Sequence, residues 1–73
     1  MGAAIRVPPA APVPWRLTRF VRRDENGVGR EFGTSVLDGI APVVAKTWFE
    51  ARASFARELH AEPGDIDVDM VSP

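Results

Sequence analysis

Hydrophobic and polar residues alternate from Trp15 to Arg23, and this period of two predicts a β-strand. Successive side chains of a strand point to opposite faces of its sheet. One predicted face carries Trp15, Leu17, Arg19 and Val21, and the other carries Arg16, Thr18, Phe20 and Arg22. The strand therefore offers a mainly apolar face to a core and a second face that is rich in arginine.

The strand is followed by a turn signal. The Asn26-Gly27 pair favours the positive φ values of a tight hairpin turn. A return strand is expected from about 30 to 37, in which Phe32, Thr34 and Val36 share a face, before the next turn. Residues 15–37 are thus predicted to form a β-hairpin.

The segment from Ala41 to Leu59 allows two interpretations. A single helix that starts at Pro42 would place its apolar residues at helical spacing, namely Val44, Trp48, Ala51, Phe55 and Leu59. Alternatively, residues 42–46 form a short strand and a helix covers 47–60. That helix would begin with a capping box, in which the Thr47 hydroxyl and the Glu50 carboxylate accept hydrogen bonds from backbone N–H groups. We favour the second interpretation because adjacent valines weakly disfavour a helix.

Acidic and hydrophobic residues alternate from Asp65 to Val71, which predicts a last strand over 65–71. With the strand at 42–46 and the helix at 47–60, this segment has the length of a parallel strand–helix–strand crossover. The helix is expected to cover the sheet, and the predicted core contains Trp48, Ala51, Phe55 and Leu59 from the helix and Leu17, Val21, Val36, Val68 and Met70 from the sheet.

The predicted fold is α+β, with a small three- or four-stranded sheet and one helix packed on one face. The sheet would combine the hairpin, the short strand and the last strand. Residues 1–14 contain four prolines, which exclude a helix and favour an extended arm. Residues 15–73 are expected to form a single domain.

The composition favours a protein that is stabilised by a partner. The chain has 73 residues and no cysteine, and a domain of this size buries only about 60% of the surface that its unfolded chain exposes. Small domains often need a disulfide, a metal or a partner chain, and here a disulfide cannot form. Because the chain also lacks a signal-like or membrane-length apolar segment, the cytoplasm is the expected location.

Charge is distributed unevenly along the chain, although the net charge is −1. Residues 1–30 contain six arginines and two acidic residues, whereas residues 61–73 contain four acidic residues and no basic one. Either the two ends lie together in the fold and neutralise each other, or the basic part forms a surface for an acidic partner. We favour the first interpretation.

The candidate catalytic and metal-binding motifs are weak. The glycines from Gly27 to Gly33 have the spacing GxGxxxG, and no predicted helix follows them as a nucleotide-binding loop requires. His60 is the only histidine, and we expect it at the C-terminus of the helix rather than in a catalytic triad. The carboxylates of Asp65, Asp67 and Asp69 lie about 7 Å apart on one strand face, which is more typical of a solvated edge than of a metal site.

The arginine-rich face is a candidate nucleic-acid surface. Arg16 and Arg22 could contact phosphates while the Phe20 ring stacks a base, and Arg23 and Arg30 would extend the patch. The alternative is that these arginines pair with aspartates across the sheet.

A second candidate surface lies on the helix. Phe49 follows Trp48 directly, so the two rings should point to different sides and at least one should lie near the surface. An exposed aromatic ring beside an arginine, here Arg52, is typical of interface hot spots. Val7, Pro8 and Pro9 of the arm are further protein-contact candidates.

The sequence thus predicts a small non-enzymatic interaction protein, such as an adaptor, an assembly factor or an inhibitor of the kind that phages and mobile elements encode. Its expected partner is another protein or a second copy of itself, with no cofactor, no metal, no membrane and no small-molecule substrate. The alternative is a sheet-based nucleic-acid-binding module that uses the arginine-rich face.

Overall fold

The computed structural model describes residues 11–71. In chain order they form β1 (Val13–Arg23), β2 (Gly29–Glu31), α1 (Thr34–Asp38), β3 (Val43–Ala45), α2 (Trp48–Leu59), a 3₁₀ turn (Pro63–Asp65) and β4 (Ile66–Met70). The four strands form one small sheet in which every hydrogen-bonded pair is antiparallel, and α2 is the main helix. The predicted α+β architecture is confirmed.

Strand β1 organises the sheet because it pairs with each of the other three strands. It pairs with β2 near its C-terminal end, with β3 near its N-terminal end and with β4 along its middle. Trp15 has both Val43 of β3 and Met70 of β4 as partners, so these strands lie on opposite edges of β1 at that point. They run in the same direction with β1 between them, and α2 connects them. The predicted crossover is present, but its two strands are not neighbours.

A β-bulge in β1 changes which side chains face the core. The register with β4 shifts between Leu17 and Arg19, which leaves Thr18 as an extra residue. Phe20 therefore lies on the same face as Leu17 and is only 3% exposed. The prediction that Phe20 shares an exposed face with Arg16 is wrong, because simple alternation does not anticipate a bulge.

The predicted return strand at 30–37 is also wrong over most of its length. Strand β2 ends at Glu31, and the chain then forms the short helix α1. The Gly33 carbonyl accepts hydrogen bonds from the N–H groups of Val36 and Leu37, so the helical turn satisfies backbone groups without a strand partner. Leu37 joins the core, whereas Val36, which was predicted to face the core, is exposed.

Helix α2 begins and ends with well-formed caps. The Thr47 hydroxyl accepts a hydrogen bond from the Glu50 N–H at 3.1 Å, and the Glu50 carboxylate accepts one from the Lys46 N–H at 3.1 Å. Thr47 and Glu50 thus satisfy backbone donors as predicted, and the presence of β3 confirms the split interpretation of residues 41–59. At the other end, His60 adopts the left-handed conformation, with φ 53° and ψ 46°.

The core lies between α2 and the sheet. Phe55 of α2 and Ile66 of β4 are fully buried, and the rest of the cluster is Trp15, Leu17, Phe20, Leu37, Ala45, Ala51, Ala56 and Val68. Trp15 also donates a hydrogen bond from its indole Nε1 to the Ala45 carbonyl at 3.0 Å, which ties β1 to β3. Three residues that were predicted to lie in this core are exposed instead, namely Val36, Trp48 and Met70.

Strand β1 starts two residues earlier than the predicted domain boundary. Val13 and Pro14 belong to the sheet, and the Pro14 carbonyl accepts a hydrogen bond from the Val71 N–H at 3.0 Å. The predicted arm therefore loses its last two residues to the domain. Within residues 11–71, no helix combines the length and the apolar character that crossing a membrane requires.

Candidate functional site

The sheet register brings several strand and helix ends to one end of the domain. The last residue of β3, Ala45, pairs with Val13, and the last residue of β4, Met70, pairs with Trp15. Helix α2 begins just after β3. The C-terminal ends of β3 and β4 and the first turn of α2 therefore lie together at the N-terminal end of β1.

Exposed apolar side chains are concentrated at this end, which we call the aromatic end. Among the described residues, seven large hydrophobic side chains are exposed, and only Val28 and Val36 lie elsewhere. The aromatic end consists of Val44, Trp48, Phe49, Met70 and Val71. Exposed apolar residues are common singly, and a group of them at one end of a domain is a candidate contact surface.

Two aromatic rings and an arginine form the centre of the aromatic end. Trp48 and Phe49 meet edge to face, with ring centroids 5.0 Å apart and an interplanar angle of 79°. The Arg52 guanidinium lies 4.3 Å from the Trp48 ring centroid and 5.9 Å from that of Phe49. Phe49 is 70% exposed and Trp48 is 36% exposed. The two rings thus contact each other at the surface, and the expectation that Trp48 covers the sheet is wrong.

The first turn of α2 holds these groups in place. Trp48 and Phe49 are the first two residues of the helix, directly after the capping residue Thr47. The hydrogen bonds of Thr47 and Glu50 fix the backbone from which both rings project. Since Glu50 is engaged in the cap, the charges that this turn offers to a partner are those of Lys46 and Arg52. No acidic group in the described part of the chain lies within 4.0 Å of the Arg52 guanidinium.

The arginines of the predicted nucleic-acid surface are separated by the fold. Arg23 binds Asp65 through two hydrogen bonds of 2.8 Å, from Nε to Oδ2 and from Nη2 to Oδ1. Arg16 lies opposite Asp69 in the register of β1 and β4. Arg22 covers the buried Phe20 ring, with its guanidinium carbon 5.0 Å from the ring centroid. Phe20 is therefore not accessible for stacking a base.

Of the arginines that were expected to pair with aspartates across the sheet, only Arg23 forms such an ion pair within residues 11–71, with Asp65. Arg19, which was not among them, lies 3.6 Å from Glu31 and 3.9 Å from Asp67. The basic N-terminal half and the acidic C-terminal segment thus meet across β1 and β4. This explains how an uneven charge distribution in the sequence becomes balanced on the sheet.

The contact between Arg23 and Asp65 changes the acidity of both groups. The hydrogen bond from Arg23 lowers the pKa of Asp65, and burial of the carboxylate, which acts in the opposite direction, is the weaker effect. The same hydrogen bond raises the pKa of Arg23. Asp65 is therefore stabilised as an anion, which suits a structural contact and not a proton donor near neutral pH.

The remaining candidates for chemistry are dispersed. His60 ends α2, and Asp65 is held by Arg23. Among residues 11–71, no three His, Cys, Asp or Glu side chains are grouped so that they could hold a metal ion. Gly27 has a positive φ of 81° and lies in the hairpin turn, as the sequence predicted. Val7, Pro8 and Pro9 lie outside the described residues.

Sequence reasoning identified Phe49 and Arg52 but assigned Trp48 to the core. The capping box contained the signal that could have corrected this. A cap at Thr47 makes Trp48 the first helical residue, at the end of the helix, whereas Ala51 and Phe55, one and two turns later, pack against the sheet. The sheet register alone places the other members of the aromatic end there, namely Val44, Met70 and Val71.

Comparison with known proteins gives no relative for this chain. No family model matches the sequence, and neither a curated protein nor a solved structure shows a significant match.

Proposed function

We propose that this chain is a small non-enzymatic interaction protein that binds another protein through its aromatic end. The observation that carries the proposal is the exposed cluster of Phe49, Trp48 and Arg52, in which two rings and a guanidinium are already in contact. Tryptophan and arginine are the residue types most enriched in interface hot spots. A partner would cover apolar surface that is now in water.

Preorganisation supports the proposal. Binding a flexible side chain costs about 0.5–1.5 kcal/mol in lost rotamer freedom. Phe49 and Arg52 are each held by the Trp48 ring, and the capped first turn of α2 holds the backbone. Much of the side-chain ordering that binding requires is therefore already present in the free protein.

The chemistry of the aromatic end suggests what the partner presents. The apolar rings fit an apolar cleft, and Arg52 fits an acidic group at the rim of that cleft. We therefore expect a protein with an acid-rimmed apolar groove. An adaptor, an assembly factor or an inhibitor encoded by a phage or a mobile element would act in this way, in the cytoplasm.

The decisive experiment compares the binding affinity of variants at the aromatic end with that of a variant at an exposed apolar residue elsewhere. The partner is first identified by mass spectrometry of complexes purified from the host, and its affinity is then measured by calorimetry with purified proteins. Phe49→Ala should weaken binding by about tenfold or more, and Arg52→Gln should weaken it and reduce its salt dependence. Val36→Ala is the matched control, because Val36 is exposed away from the aromatic end. It should leave the affinity unchanged.

Two results would overturn the proposal. One is an unchanged affinity in both Phe49→Ala and Arg52→Gln while the thermal unfolding of these variants matches that of the original protein. The other is a native mass that shows a homodimer lost on Phe49→Ala, since the occupant would then be a second copy of this chain.

A further inference from the structure

The β1–β2 hairpin carries two arginines and two phenylalanines on one face. Arg22 and Arg30 are direct partners in the register, and the Phe32 N–H donates a hydrogen bond to the Phe20 carbonyl at 3.0 Å, which continues the ladder by one pair. Residues two apart on a strand share a face. The Phe20 and Phe32 ring centroids lie 5.1 Å apart, and the Arg22 guanidinium lies over the Phe20 ring.

Neither arginine forms an ion pair with a carboxylate of the described residues. Like charges that lie directly opposite on paired strands destabilise the pair, yet no carboxylate of residues 11–71 lies within 4.0 Å of either guanidinium. The adjacent acids are otherwise engaged. Asp24 accepts hydrogen bonds from the N–H groups of Asn26 and Val28 in the turn, and Glu31 contacts Arg19.

A depression of about 520 Å³ lies beside these arginines. Arg22 and Arg30 line it together with the apolar side chains of Val28 and Phe32. Asp24 also lines it, and its Oδ1 accepts the hydrogen bonds of the turn. Arg23 also lines it, but its guanidinium is held by Asp65 and by the Gly27 carbonyl. The volume lies within the range of about 300–1,000 Å³ that is typical of small-molecule sites.

We infer that this depression binds the phosphate group of a nucleotide, with Arg22 and Arg30 as the two donors. A guanidinium presents a planar fork of N–H donors, and one fork already satisfies the two oxygens of a carboxylate. A phosphate has a third oxygen that a second arginine can bind. Val28 and Phe32 provide an apolar wall for the attached sugar or base.

The phosphate could belong to a free nucleotide or to a single-stranded nucleic acid, because both present the same group. This site is distinct from the arginine-rich face predicted from the sequence, since Arg16 lies across from Asp69, Arg23 is held by Asp65, and Phe20 is buried. It is also independent of the aromatic end, because it is built from the β1–β2 hairpin and not from α2.

The test is a titration followed by backbone amide chemical shifts, with three probes: inorganic phosphate, adenosine monophosphate and a ten-residue oligothymidylate. Binding should perturb the amides of residues 22–32. Arg22→Gln and Arg30→Gln should each weaken binding by about tenfold or more. Arg57→Gln is the matched control, because Arg57 is an exposed arginine on α2 and its loss changes the net charge equally. It should have little effect.

The salt dependence and the choice of probe identify the source of the phosphate. If the oligonucleotide binds more tightly than the mononucleotide, with a steep salt dependence, the ligand is a nucleic-acid strand. Equal affinity for both probes indicates a free nucleotide.

Thermal unfolding of each variant checks that the fold is intact, and Arg30→Gln retains the contact between Arg22 and Phe20.

Three results would overturn the inference. They are a lack of binding by all three probes at low salt, an equal loss of affinity in Arg57→Gln, and tighter binding of a polyglutamate peptide than of either nucleotide probe. The last result would mean that the arginine pair binds carboxylates.

Discussion

Arg23 and Asp65 form a bidentate contact between residues that are 42 positions apart, with both hydrogen bonds at 2.8 Å. It joins the turn end of the β1–β2 hairpin to the 3₁₀ turn that leads from α2 into β4. Asp65 is the only buried charged residue among those described, with 8% exposure. The contact therefore holds together the two ends of the sequence that carry opposite charge.

This contact predicts how stability depends on pH. Because Arg23 lowers the pKa of Asp65 in the folded state, the contact stabilises the fold fully above the unfolded pKa of about 3.9. The stabilisation is lost as the pH falls through the lower folded pKa. Asp65→Asn should therefore have a lower Tm than the original protein at pH 6, and the difference should shrink toward pH 2.

Differential scanning calorimetry across this pH range checks the prediction. Asp67→Asn serves as the control, since the Asp67 carboxylate is half exposed and lies 3.9 Å from Arg19, and exposed pairs contribute little. A Tm difference between Asp65→Asn and the original protein that stays constant from pH 6 to pH 2 would show that the carboxylate charge does not act as described.

The cap of α2 predicts a measurable loss of stability. Thr47→Ala removes the hydroxyl that accepts the Glu50 N–H, and loss of such a cap costs about 1 kcal/mol of unfolding free energy. Urea unfolding measures this. Thr34→Ala is the control, since Thr34 follows the N-cap residue of α1, which has no side-chain cap bond. An equal loss in both variants would mean that the Thr47 hydroxyl has no special role.

The C-terminus of α2 predicts a gain of stability. His60 has a positive φ of 53°, a conformation that costs a residue with a side chain about 1 kcal/mol and that glycine adopts freely. The Ala61 N–H still donates to the Ala56 carbonyl at 3.0 Å, so the turn itself is well bonded. His60→Gly should raise the unfolding free energy by about 1 kcal/mol, whereas His60→Ala should not. A lower Tm for His60→Gly than for His60→Ala would contradict this account.

The parts of the fold that follow from local patterns could be read from the sequence. Alternation of acids and hydrophobes predicted β4, and the Thr47 and Glu50 spacing predicted the start of α2 to within one residue. The hairpin turn followed from Asn26-Gly27. These features depend on backbone preferences and hydrogen bonds within a few residues, which a sequence displays directly.

The candidate site could be predicted only in part, because its exposure depends on distant residues. Phe49 was expected at a surface with Arg52 beside it, and Phe49 is exposed with the Arg52 guanidinium 5.9 Å from its ring centroid. Trp48 has the helical spacing of a core residue, but it is the first residue of α2 and is 36% exposed. Arg22 and Arg30 lie opposite each other because of the hairpin register. Arg23 is hydrogen-bonded to Asp65, a residue that is distant in sequence, and so is not available as a third free arginine.

The sequence by itself determined the order of the main elements and their caps and turns, since these depend on residue type and short spacing. Only the tertiary structure decided which surfaces remain exposed. The bulge at Thr18 places Phe20 in the core, and α1 takes the place of the expected strand. Pairing of β4 with β1 places Met70 at the same end of the domain as Phe49. The physical reason is that burial and charge pairing are set by residues that are close in space and far apart in sequence.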